Sequence, residues 1–80
     1  MKLRVGIAEE KEYELASLSM VLKDEGYEVS GFANPLDALE HIKDQDVDVL
    51  VTDLRMPQMD GMELFRLASE SRPSLETIVM

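Results

Sequence analysis

The chain contains no cysteine. Disulfides and thiolate-bound metals are therefore excluded, which fits a reducing cytoplasm. There is one histidine, His41, and a single imidazole cannot build a zinc site. It reads as a surface residue near the end of a helix. Basic side chains are scarce: eight Lys and Arg stand against seventeen Asp and Glu, for a formal charge of -9. So acidic a segment lacks the basic patch that nucleic-acid phosphates require, and an anionic membrane surface repels it. Long apolar runs are missing too. Nothing approaches the ~20 residues of a membrane-spanning helix. Met1-Lys2-Leu3-Arg4-Val5 has no long apolar stretch behind its charges to act as a secretory signal.

What remains suits one small globular domain. The 80 residues are 45% hydrophobic, too apolar for a disordered chain. A domain this size buries a modest fraction of its surface and is marginally stable. No repeat, low-complexity linker or domain boundary is visible.

Leu3 to Ala8 is a short apolar run that predicts a strand. Glu9-Glu10-Lys11-Glu12 follows, and acids suit the positive first turn of a helix. Leu15, Leu18 and Leu22, with Val21 beside them, give that helix an apolar stripe, and Gly26 stops it. Tyr27 to Phe32 predicts a second strand. Asn34 caps a second helix and Pro35 opens it, with Leu36, Leu39 and Ile42 as its buried stripe. Val47 to Thr52 is a third strand. Its unbroken Val49-Leu50-Val51 run marks a strand covered on both faces. Asp53 to Asp60 is a loop. Asp60 and Glu63 form a capping box for a third helix with Leu64, Leu67 and Ala68 inward. After Pro73, Thr77 to Met80 begins a fourth strand. Strictly alternating strands and helices predict a parallel sheet with helices on both faces.

In such sheets functional residues gather at the carboxyl ends of the strands, where strand order reverses. Glu9 and Glu10 follow the first strand, and Asp53 ends the third. If the second and third strands flank the first, these acids meet at one edge. Converging carboxylates repel each other unless a cation lies among them. Magnesium suits them, since it takes a few carboxylate or carbonyl oxygens and keeps several waters. A carboxylate is also a nucleophile toward phosphorus. Metal-assisted phosphoryl transfer to Asp53 is one reading. The plainer reading makes Glu9 and Glu10 compensation for a helix dipole and Asp53 a turn residue. Met56, Met59 and Met62 read as loop and core packing. Arg55 reads as a surface partner for a nearby acid, an interaction of little energy.

Val51-Thr52-Asp53-Leu54-Arg55-Met56-Pro57-Gln58-Met59-Asp60-Gly61 resembles the phosphorylation segment of response-regulator receivers, and its Thr52-to-Pro57 wording resembles receivers attached to transcription activators of the nitrogen-regulator type. Gly26-Tyr27-Glu28-Val29 and Ala38-Leu39 also sit where that family places them. The resemblance runs the whole chain, residues 1–80, which would be the N-terminal two thirds of such a domain. It implies an α/β fold: a truncated flavodoxin-like (CheY-like) three-layer sandwich, strand order 2-1-3-4, with the fifth strand and last helices absent. It implies that Asp53 is the phosphoacceptor. Glu9, Glu10, Asp53 and the backbone carbonyl of Arg55 would hold Mg2+. A sensor histidine kinase would be the phosphoryl donor. An output domain outside this chain, DNA-binding and transcriptional, would read the signal in the cytoplasm.

Two departures from the family pattern matter. The usual acidic pair is Asp-Asp or Glu-Asp, and here it is Glu9-Glu10. Each added methylene moves a carboxylate outward, against the strict octahedron of magnesium. The family's switch Thr or Ser and its Lys would lie beyond Met80. The alternative function is a pseudo-receiver, a protein-interaction module that is not phosphorylated. An aspartyl-nucleophile phosphatase would need an acid just after Asp53, where Leu54 and Arg55 stand. The receiver is thus expected to be no enzyme in the ordinary sense. Because the chain ends on an apolar strand, it is expected to be a fragment. Such a fragment would be ordered only when covered by another segment or chain, in a homodimer or swapped assembly.

Overall fold

The computed structural model describes residues 2–80. Strand β1 (Arg4–Ala8) is followed by α1 (Glu12–Asp24), β2 (Glu28–Phe32), α2 (Pro35–Asp44), β3 (Val49–Thr52), α3 (Gly61–Ser71) and β4 (Glu76–Val79). All strand pairs are parallel and the order is β2-β1-β3-β4. This is the expected truncated three-layer sandwich. In register, Ala8 lies between Phe32 of β2 and Thr52 of β3, so the reversal of strand order falls beside β1 and β3.

Alternation along the strands divides the core into two. On one face Ala8 and Leu50 pack with Ala38, Leu39 and Ile42 of α2 and Leu64 and Ala68 of α3. On the other, Val5, Ile7 and Val51 pack under Leu15, Leu18 and Leu22 of α1. Two helices cover the first face and one covers the second. That asymmetry explains why no residue of α1 is fully buried, and why Val21, expected beside its buried stripe, is 58% exposed.

The helix ends follow local chemistry. The Asn34 side chain accepts the Leu36 N–H at 2.8 Å, with Pro35 in the first turn. Asp60 accepts the Glu63 N–H at 2.8 Å. The return half of the expected capping box is absent, because the Glu63 carboxylate is bound to Arg66. Helix α1 closes on Gly26, the only described residue with positive φ, at 94°. There the Gly26 N–H reaches Lys23 O and the Tyr27 N–H reaches Leu22 O, the paired closure that a left-handed residue permits.

Several boundaries and faces differ from the sequence reading. The strands β1, β2 and β3 start at Arg4, Glu28 and Val49, leaving Leu3 and Tyr27 outside and exposed. Val47 is buried although it precedes its strand. Leu36 is 49% exposed rather than buried, because it lies off the helix face that meets the core. Pro35 and Ala38 join Leu39 and Ile42 inside instead. Met56 is buried and Met59 packs against the same core, whereas Met62 is exposed. His41 is half-buried, its ring tilted at 42° against Phe32 with centroids 5.0 Å apart.

Candidate functional site

The site lies where the chain leaves the carboxyl ends of β1 and β3. The Asp53 N–H donates to Ala8 O at 3.0 Å, and the Glu9 N–H donates to Phe32 O at 3.0 Å. The ladder therefore runs one residue past each strand and fixes both acids at the same edge of the sheet. Asp53 follows β3 directly and is half-buried. Glu9 is only 4% exposed, the one buried carboxylate among the described residues.

A buried carboxylate is costly unless its charge is met. The Glu9 carboxylate accepts a single hydrogen bond from a protein donor, the Lys11 N–H at 3.2 Å. Burial raises its proton affinity above the usual carboxylate range, and the Lys11 amide opposes that. The side chain of Glu14 and the charge of Asp53 raise it further. No Lys or Arg among the described residues forms an ion pair with Glu9 or Asp53. Arg55, expected to pair with an acid, is exposed in the loop and makes no ion pair there either.

Glu10 is half-buried, in the turn before α1. The acids in the first turn of α1 are Glu12 and Glu14, not Glu9 and Glu10. Compensation of the helix dipole therefore falls to the later pair. Nothing in the sequence distinguished Glu9 from Glu10, because which of two adjacent side chains turns inward depends on the backbone after the strand. Glu14 went unremarked because it reads as an ordinary solvated helix position.

No three Asp, Glu or His side chains among the described residues form a ready group for a metal ion. Magnesium asks for less, since it binds through one or two carboxylates and keeps several waters. Glu9 and Asp53, mutually repelling and without a cationic partner, are a donor set of that chemistry. The site opens onto a groove of about 440 Å³ lined by Glu9, Tyr13, Leu18, Val21 and Met80. A smaller cavity of about 120 Å³, with Arg4, Glu28, His41 and Asp46 on its walls, involves none of these acids.

The loop after Asp53 returns tightly to α3. The Gly61 N–H donates to Leu54 O at 2.7 Å, and a Cβ on Gly61 would fall on the Asp53 carbonyl oxygen. Gly61 was read from sequence as the residue after a helix cap and the last of the segment that resembles receivers. The structure makes it the contact between α3 and the candidate nucleophile.

Comparison with known proteins identifies the family and the fold. The chain is 37% identical over 73 residues to the response regulator receiver protein CpdR of Brucella abortus (strain 2308), covering 91% of this chain and 61% of that protein. It is 35% identical over 63 residues to the DNA-binding transcriptional regulator NtrC of Proteus hauseri, covering 79% of this chain and 13% of that one. This chain thus spans under two thirds of either relative. The crystal structure of a CheY-like response regulator receiver domain protein from Methanospirillum hungatei JF-1 superposes with a TM-score of 0.95 at 29% identity, over 99% of this chain and 63% of that one. The family model for the response regulator receiver domain matches residues 5–80, and the chain belongs to that family.

Proposed function

We propose that this chain receives a phosphorelay signal on Asp53. The observation that carries the reading is the pairing of Asp53 with buried Glu9 at the ends of β3 and β1, with no cationic side chain to balance them. Asp53 is half-buried and held at the backbone, so its carboxylate is presented at the sheet edge on a rigid base.

In the proposed reaction a carboxylate oxygen of Asp53 attacks the phosphorus of a phosphohistidine on a sensor histidine kinase. A P–O bond forms and the P–N bond breaks, its electron pair returning to the ring nitrogen, so an imidazole already protonated on its other nitrogen leaves neutral. Asp53, Glu9 or Glu10, and the backbone carbonyl of Arg55 are the groups that would hold Mg2+. When bound, the cation neutralises charge on the incoming phosphoryl group. Buried Glu9 is the stronger candidate of the two glutamates, since it follows β1 directly, beside the end of β3 that carries Asp53. The chain itself acts as a signalling module in the cytoplasm rather than as a turnover enzyme. An output domain, transcriptional by analogy with NtrC, would read the altered surface. No helix among the described residues is long and apolar enough to cross a membrane.

The test is intact mass of a receiver extended past Met80, after incubation with acetyl phosphate, with and without Mg2+. One added phosphate that requires Mg2+ and is lost in Asp53→Asn is expected. Full labelling of Asp53→Asn, or none of the wild type, contradicts the reading. The second outcome would favour a pseudo-receiver, for which the Glu9-Glu10 pair is the supporting feature.

A further inference from the structure

Asp53 is held by more than its strand. Its N–H is fixed by Ala8 O at 3.0 Å, and the next N–H, of Leu54, is fixed by Met80 O at 3.1 Å. Between these two anchors the Asp53 carbonyl accepts the hydroxyl of Thr52 at 3.0 Å. Thr52 is completely buried and is one of only two buried polar or charged side chains among the described residues, the other being Glu9. Gly61 backs the same carbonyl. A Cβ there would fall on the Asp53 oxygen and lie 3.1 Å from Leu54 Cα.

A valine would fill the place of Thr52 equally well if only burial and β-branching mattered. The hydroxyl brings a polar atom inside, which is tolerated because it is hydrogen-bonded. Its acceptor is the peptide that carries the candidate nucleophile. Gly61 is likewise needed for close approach rather than for an unusual φ, since Gly26 alone among the described residues has positive φ.

We propose that Thr52 and Gly61 are positioning residues for the Asp53 carboxylate. The hydroxyl of one and the missing side chain of the other hold the Asp53 carbonyl. With N–H and C=O both fixed, the direction of the Cα–Cβ bond is fixed, and only the side-chain torsions remain to aim the carboxylate. Phosphoryl transfer depends almost wholly on positioning and electrostatics, and a misplacement of about 1 Å can cost about 10²-fold in rate. The inference rests on Asp53 being the acceptor.

In the same extended receiver, the test measures initial rates of Asp53 phosphorylation against acetyl phosphate concentration, with Mg2+ present and the thermal midpoint of each variant recorded. Thr52→Val keeps shape and removes the donor, and Thr52→Ser keeps the donor. Thr52→Val is expected to lower the maximal rate about 10-fold at an unchanged half-saturating concentration, and Thr52→Ser to restore it to within about 2-fold. Gly61→Ala is expected to show the same loss in maximal rate. Wild-type rates in Thr52→Val and Gly61→Ala overturn the proposal. So does equal loss in Thr52→Val and Thr52→Ser that simply tracks their thermal midpoints. If Thr52→Val fails to fold, Gly61→Ala decides, because backing of the carbonyl is independent of the hydroxyl. A wild type that takes no phosphate contradicts the acceptor reading and this proposal with it. A labelled wild type with indifferent variants contradicts only the positioning role.

Discussion

Glu9 and Asp53 lie just past the paired ends of β1 and β3, and the charge of Asp53 helps raise the proton affinity of the buried Glu9 carboxyl. Forty-three intervening residues separate them in the chain, so only the fold brings them together. Two parallel crossovers of β-α-β type place them there, each right-handed by the general rule for such units.

That relationship has a pH signature. Glu9 holds its proton more tightly when folded than at its ordinary value of 4.5. The folded state therefore binds more protons than the unfolded state between that value and the raised one. Stability falls as pH rises through this window, and the loss persists at neutral pH. Glu9→Gln is expected to raise the thermal midpoint at pH 7, with the gap closing toward acid pH where both side chains are neutral. Added Mg2+ should raise the wild-type midpoint more than that of the variant. Thermal melts across pH check this, and a Glu9→Gln midpoint below wild type at pH 7 would contradict it.

The opposite end of the sheet is held by charge of the ordinary kind. Asp48 accepts the Arg4 N–H at 2.8 Å and the Arg4 Nε at 3.2 Å. Asp46 bridges Arg4 to Arg72, whose Nε also donates to Ile42 O at 2.9 Å. The bonds from Arg4, led by its backbone amide, hold the Asp48 carboxyl below its usual value of 3.8. Its contribution is present above that value and is lost as pH falls through the lower folded one. Asp48→Asn is expected to lower the thermal midpoint at neutral pH and to converge with wild type in strong acid. A constant difference at every pH would show that the carboxylate charge is not the cause.

Core and surface leucines should separate cleanly in urea. Leu64 is completely buried between α3 and the sheet, whereas Leu36 is 49% exposed. Leu64→Ala is expected to remove about 2–5 kcal/mol, a large share of the ~5–15 kcal/mol of a small domain. Leu36→Ala is expected to stay within about 0.5 kcal/mol. Similar midpoints for the two variants would contradict the assignment of faces.

Residues 1–80 by themselves present an unpaired β4 edge on which Ile78 and Met80 are 54% and 55% exposed. Unpaired apolar edges invite pairing with another chain. Sedimentation of this segment alone is expected to show association that Ile78→Lys reduces. A monodisperse monomer with a cooperative melt would contradict this.

The order of elements was legible because each apolar run keeps a clear period, and Asn34-Pro35, Asp60 and Gly26 punctuate it. Faces were less legible where a helix covers its sheet incompletely. Leu15, Leu18, Val21 and Leu22 of α1 look equally apolar in sequence, yet Val21 is exposed because no second helix covers that side. Leu36 failed for a different reason: in the first turn of α2 helical spacing alone does not say which side meets the sheet. At the site, Asp53 was legible from its place at the end of an apolar strand and from the loop that follows. The burial of Glu9 and the Thr52 hydroxyl bond to Asp53 were not, since both are set by backbone direction after the strands rather than by residue type.

The most direct measurement locates the phosphoryl group itself. Phosphorylation with acetyl phosphate and Mg2+, followed by borohydride reduction, converts an aspartyl phosphate to homoserine, which peptide mass mapping can place. Conversion confined to residue 53, absent without Mg2+ and absent in Asp53→Asn, is the expected result. Conversion at another aspartate, or phosphate retained in Asp53→Asn, would contradict the assignment of Asp53 as the acceptor.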